Sequence, residues 1–124
     1  MDPRHIDIVR RLDDVVGNTS VSLISMVLPP RSKIASSLRM LQTELDIVEN
    51  MRSESKKRAA SRAIRETQDL LNTVYIFPEN GLFVFVGTDV NGHLHRECFE
   101  PNVPINTSLY LIDRTFHTHV FHTM

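Results

Sequence analysis

The sequence predicts an α/β domain of the α+β type, a mixed sheet of about four strands flanked by helices on both faces, with a protruding helical hairpin. Three observations carry that expectation. Two long apolar stripes of helical period are separated by only a few residues, two continuous apolar runs are bounded by turn residues, and an Asn-Gly pair joins the second run to a third strand.

The elements follow in order. Asp2 before Pro3 reads as an N-cap with proline in the first turn, and Ile8, Leu12 and Val15 form the stripe of a short helix that Gly17 ends. Val21 to Leu28, VSLISMVL, is apolar on both alternating faces, as a central strand covered on both sides requires, and Pro29-Pro30 forbids its continuation. Ser32 is placed to cap the next helix, where Ile34, Leu38, Leu41, Leu45 and Val48 recur at steps of four and three. A second helix from about Ser55 carries Ala60, Ala63, Ile64, Thr67, Leu70, Leu71 and Val74 on one side. The short connection between them makes the pair an antiparallel hairpin. Asn80-Gly81 marks a turn before the apolar run Leu82 to Val86, and Asn91-Gly92 predicts a type I′ hairpin turn. A third strand from His93 to Phe99 has the mixed face pattern of a sheet edge, and Thr107 to Ile112 is the fourth.

Length and composition narrow the function. A chain of 124 residues is a single domain, and 41% hydrophobic with 23% charged residues excludes wholesale disorder. The single cysteine, Cys98, allows no intrachain disulfide, and the N-terminal stretch lacks the apolar run of a signal peptide. A reducing, cytoplasmic setting is the expectation, and no apolar run approaches the roughly 20 residues of a membrane span. The Asn-Thr-Ser sequences at Asn18 and Asn106 are then polar turns rather than glycan acceptors.

Six histidines raise the question of a metal, but His93 and His95 would share a strand face from which Cys98 points away, and no second cysteine completes a zinc pattern. No metal and no cofactor are expected. There is neither a nucleophile elbow nor a phosphate-cradling glycine loop among four glycines, and Cys98 lacks a context that would activate a thiol. A binding module is therefore expected rather than an enzyme.

Charge is concentrated at the hairpin. Between Arg52 and Arg65 six basic residues stand against one acid, Glu54, although the whole chain has a net charge of -1. One reading is a solvated face balanced by Glu44, Asp46 and Glu49 at the end of the preceding helix. The other is a tip that meets RNA, with Arg52, Lys56, Lys57, Arg58 and Arg62 on phosphates, and Asn and Ser side chains available to base edges.

Four segments, SLISMVLPP (22–30), the Asn50 tip, PENGLFVFVGT (78–88) and FEPNVPINTSLYLIDRTFHT (99–118), together resemble the N-terminal domain of the eukaryotic and archaeal class I translation termination, or peptide chain release, factors. The resemblance implies a sheet flanked by helices whose hairpin enters the A site of the small ribosomal subunit and recognises stop codons. Its implied partners are the ribosome, messenger RNA and ribosomal RNA. The family's Asn-Ile-Lys-Ser tip is matched by Asn50, Met51, Arg52 and Ser53, its purine-reading glutamate by Glu44, and the aromatics of its Tyr-x-Cys-x-x-x-Phe motif by Tyr110 and Phe116.

The departures are as informative. Arg52 replaces lysine, a planar fork of donors in place of a compact ammonium. Ile112 replaces the cysteine, and Ser20, Val21 and Ser22 stand for Gly-Thr-Ser, so that only Ser22 is kept. A missing hydrogen bond in a pocket built for it costs about 1–3 kcal/mol, so codon preference would be altered or relaxed. The family's Gly-Gly-Gln hydrolytic domain and its domain for a partner GTPase have no counterpart in these 124 residues, which leaves open a fragment, an excised domain, or a truncated paralogue with those domains or a partner GTPase in other chains. A regulatory or protein-interaction module that kept the fold and lost decoding is the alternative.

Overall fold

The computed structural model describes residues 3–122. Along the chain lie α1 (Pro3–Asp13), β1 (Leu23–Leu28), α2 (Ile34–Val48), α3 (Glu54–Leu71), β2 (Leu82–Thr88), β3 (Leu94–Phe99), β4 (Leu109–Asp113) and α4 (His119–His122). The four strands form one sheet in the order β3-β2-β1-β4. Three layers result, with α2 and α3 on one face of the sheet and α1 and α4 on the other.

The expected element order stands, but the sheet is antiparallel at every pairing rather than mixed. The physical reason is the even spacing of reversals. The α2–α3 hairpin returns the chain to the end of the sheet where β1 finished, so β2 must run back along β1.

Alternation divides the core into two chemically distinct halves. Ile24, Met26 and Leu28 of β1 join Leu82, Val84 and Val86 of β2 beneath the hairpin, against Leu41, Leu45, Ala60 and Ile64. Leu23 and Val27 face the other way with Phe83, Phe85 and Phe99, where Val9, Leu12 and Phe121 cover them. The rings interlock edge to face, Phe99 with Phe121 at 5.5 Å and Phe85 with Phe116 at 5.8 Å between centroids.

Several local expectations change. The Asp2 cap lies outside the described residues, and α1 ends at Asp13, before Gly17. Gly17 is needed for space, since a Cβ there would stand 2.4 Å from Ser22 Cβ. Ser32 does not cap α2. Its hydroxyl donates to the Pro29 carbonyl at 2.6 Å, closing a turn in which Arg31 takes a left-handed φ of 66°, and Lys33 stands at the N-cap with no side-chain bond. The β2–β3 turn is not type I′, because Gly92 alone among its central residues has positive φ. Gly92 N–H donates to Asp89 O at 3.0 Å and Asp89 N–H to His93 O at 2.9 Å, a type I turn closed by a glycine bulge. The Asp89 carboxylate favours this form by accepting the N–H groups of Asn91 (2.8 Å) and His93 (3.0 Å).

Gly87 has no room for a side chain, because a Cβ would stand 2.3 Å from Ser22 O and 2.8 Å from Leu23 Cα, backbone atoms where the chain enters the central strand. Gly87→Ala is expected to lower stability by about 1–3 kcal/mol, as overpacking does. Urea unfolding monitored by circular dichroism checks this, and an unchanged midpoint would show that the β1–β2 contact yields.

Candidate nucleic-acid interface

The hairpin tip is four residues whose backbone is fixed by the two helices. Asn50 N–H donates to Ile47 O at 3.1 Å and Met51 N–H to Val48 O at 3.0 Å, so α2 unwinds in a final tight turn. Met51 then folds back onto the hairpin core. Ser53 is the N-cap of α3, its Oγ accepting from Lys56 N–H at 3.3 Å. The Asn50 amide donates to Asp46 O at 3.2 Å, which leaves its side-chain oxygen as a fixed acceptor. Arg52 projects as an exposed side chain. Of the four tip residues, Asn50 and Arg52 present themselves to solvent, whereas Met51 and Ser53 chiefly hold the shape.

The acids and bases of the hairpin sort themselves. Arg65 pairs with Glu49 at 3.1 Å, relieving the acidic end of α2, and Arg96 of β3 reaches Glu66 at 3.5 Å. The side chains of Arg52, Lys56, Lys57, Arg58 and Arg62 have no ion-pair partner among the described residues. Arg65 is thus neutralised by the acidic end of α2, whereas the bases nearer the tip make no ion pair among the described residues.

Glu44 and Tyr110 come together in a groove between α2 and the edge strand β4. It has a volume of about 460 Å³, and Lys33, Ser36, Ser37, Met40 and Ser108 also line it. Tyr110 faces the hairpin because its even position in β4 places it on that side, beside Ile112. Burial, followed by the negative charge of Glu44, pushes its phenol up to about 12. Lys33, Ser36 and Met40 escaped the sequence reading, since nothing in a periodic helical stripe marks which polar residues will border a strand edge.

The remaining candidates lie elsewhere. Phe116 is buried on the opposite face of the sheet among Phe85 and His95, at 5.8 and 6.3 Å, and does not reach the groove. Ser22 is 3% exposed at the start of β1, where its Oγ stands 2.9 Å from Thr19 Oγ1. Thr19 thus puts a hydroxyl beside the position where Val21 lacks one, a loop contact that the spacing of the sequence did not reveal. Ser22 borders a second cleft, on the α3 flank of the hairpin, which Arg58 and Arg62 also line. Val21 and Ile112 both pack against the hairpin core.

His95, His117 and Cys98 are engaged by the fold. His95 Nε2 lies 2.9 Å from Asp89 Oδ2, and this bond, followed by the His93 N–H, holds the Asp89 carboxyl at about 2. His117 is anchored, with its N–H on Ser25 Oγ at 2.7 Å and its ring on Asp113 at 2.9 Å. Burial pushes the Cys98 thiol up, away from the thiolate form. Among the described residues no helix is long and apolar enough to cross a membrane.

The family model eRF1 domain 1 matches residues 6–124. A eukaryotic peptide chain release factor subunit 1 from Podospora anserina is 36% identical over 115 residues, covering 90% of this chain and 26% of its own length. The corresponding protein of Saccharomyces cerevisiae is 37% identical over 117 residues, covering 91% and 26%. Among solved structures, an archaeal protein superposes with a TM-score of 0.91 at 26% identity, over 98% of this chain and 34% of its own. The archaeal translation termination factor aRF1 gives 0.84 at 25% identity, over 96% and 33%. The chain spans about a quarter of the length of these curated relatives. On sequence and on three-layer geometry alike, it belongs to the eRF1 domain 1 family and is related to the peptide chain release factors.

Proposed function

We propose that this domain recognises stop codons in the A site of the small ribosomal subunit, in the cytoplasm, and performs no peptidyl-tRNA hydrolysis of its own. The observation that carries the reading is the groove beside the hairpin, which the Glu44 carboxylate of α2 and the Tyr110 phenol of β4 line together. A carboxylate accepts from the exocyclic amines of purines, and a neutral phenol both donates and accepts, so the pair suits the edge of an unstacked base. Tyr110 stays a neutral phenol far above physiological pH.

Asn50 offers its free oxygen at the tip, held by the bond of its amide to Asp46 O, while Met51 and Ser53 hold the shape of the tip. Arg52, Lys56, Lys57, Arg58 and Arg62 meet the phosphates of messenger and ribosomal RNA. Ser22 contributes from the cleft beside the first turns of α3, and Phe116 acts only through the aromatic layer beneath the sheet. Peptide release then needs hydrolytic and GTPase-binding domains, whether in a longer chain or in partners.

A second reading, a regulatory or protein-interaction module, draws on two observations. Val21 and Ile112 put hydrocarbon where the family motifs have a hydroxyl and a thiol, and Tyr75 and Ile76 stand 92% and 89% exposed beyond α3. Grafting the domain onto the hydrolytic domains of an authentic release factor separates the two readings. Release is expected on at least one stop codon, and Glu44→Gln in the same chimera should reduce it on the order of tenfold, the effect of one lost charged hydrogen bond. Absence of release on all three stop codons would leave only the second reading.

Tyr110 also carries a pH signature. Its folded pKa is raised from 10.0 to about 12, so the folded state resists ionisation and stability is full below pH 10, then declines as the pH rises towards 12. Melting temperatures between pH 8 and 12 should show this decline diminished in Tyr110→Phe and partly diminished in Glu44→Gln, since burial is the larger cause. Identical profiles for wild type and Tyr110→Phe would contradict the buried, charge-flanked phenol.

A further inference from the structure

The cleft on the α3 flank has a different character from the groove at Glu44 and Tyr110. Thr19 and Ser22 of the loop entering β1 form one wall, Ser55, Arg58 and Arg62 of α3 the other, with Asp89 at the β2 end, and it encloses about 290 Å³. Ser55, Arg58 and Arg62 follow one another at steps of three and four, which aligns them on one face of the helix.

Neighbouring acids do not neutralise the two arginines. Glu49 and Glu66 are held by Arg65 and Arg96. Asp89 gives one oxygen to the N–H groups of Asn91 and His93, and the other to His95. Glu54 borders the outer groove of α3 with Arg58 and Arg62, but makes no ion pair with either. Arg58 and Arg62 thus line both the outer groove, where Glu54 and Asp69 make no ion pair with them, and the cleft, whose one carboxylate is already engaged.

The opposite wall is rigid. Ser22 Oγ accepts from Thr19 N–H at 3.0 Å, and Thr19 Oγ1 accepts from Val21 N–H at 3.2 Å. Behind them, Gly17 and Gly87 leave no space for even a methyl group against Ser22. The hydroxyls of this wall are thus fixed in advance, and only the Arg58, Arg62 and Ser55 side chains of the exposed helix face need to be ordered when an anion binds.

We propose that this cleft is a clamp for one backbone phosphate of single-stranded RNA, with Arg58 and Arg62 on the non-bridging oxygens and the hydroxyls of Thr19 and Ser55 completing the set of donors. Paired guanidinium forks and two hydroxyl donors, that of Thr19 fixed by its loop, match the several acceptor oxygens of a phosphodiester. The inference rests on the RNA reading above and adds to it a second anchoring point, on the flank of the hairpin opposite the groove.

Fluorescence anisotropy with a short labelled oligoribonucleotide tests it, with folding of each variant checked by thermal melting. Arg58→Gln with Arg62→Gln should weaken binding about 10- to 100-fold and make the plot of log K against log salt shallower by about 0.7, one phosphate contact on a single strand. Thr19→Val should weaken it about two- to tenfold with the salt slope unchanged, as loss of a neutral hydrogen bond does. In the background of the tip variant Lys56→Gln, the Thr19→Val effect should persist. A silent Thr19→Val beside a strong arginine effect would mean diffuse charge and overturn the clamp. Unchanged affinity in the double arginine variant would overturn the clamp while leaving RNA binding at the tip intact, and failure of the wild type to bind would overturn both.

Discussion

The structure depends on the double burial of β1. This strand is paired on both edges and covered on both faces, and all six of its residues are buried. Removing a side chain such as Ile24 or Met26 from water contributes about 1.5–3 kcal/mol, so this one strand anchors both halves of the core. Its period of two sends aliphatic side chains towards the hairpin and matches the aromatic layer on the other side. The small alanines at 60 and 63 let α3 approach the aliphatic face closely, whereas the phenylalanines fill the wider space under the short helices α1 and α4.

That division positions the surface to which we assign RNA binding. The hairpin lies across the sheet with α2 towards β4 and α3 towards β2, so its two flanks become two clefts of unlike chemistry. One presents a carboxylate and a phenol, suited to base edges. The other presents guanidinium groups and hydroxyls, suited to phosphate. Between them the tip is braced by Met51 on the core and by the Ser53 cap, so that Asn50 and Arg52 are carried on a stiff support. The pairing of Arg65 with Glu49 matters as much, because it leaves the bases nearer the tip unneutralised.

Much of this was legible in the sequence, for physical reasons. The stripe from Ile34 to Val48 and the buried runs at 23–28 and 82–86 are strong signals because burial enforces their period. What escaped was set by neighbours distant in sequence. The uniformly antiparallel sheet follows from where the hairpin delivers the chain, and the glycine-bulge turn at Gly92 is favoured by the Asp89 carboxylate. Family motifs located Glu44 and Tyr110, which do meet in one groove, but Phe116 was read as part of the same motif. Six positions along the chain, past the end of β4, it faces the other half of the core. Thr19 was invisible because its value lies in a hydroxyl contact made across a loop.

The central claim is that the hairpin tip, rather than another face of the sheet, meets the codon. Site-specific photocrosslinking tests this most directly, using ribosomes programmed with a messenger whose stop codon carries a photoreactive uridine in the A site. The account predicts a crosslink within residues 50–53, lost when a sense codon replaces the stop codon. A crosslink on the α1 side of the sheet, or one insensitive to the codon, would contradict it.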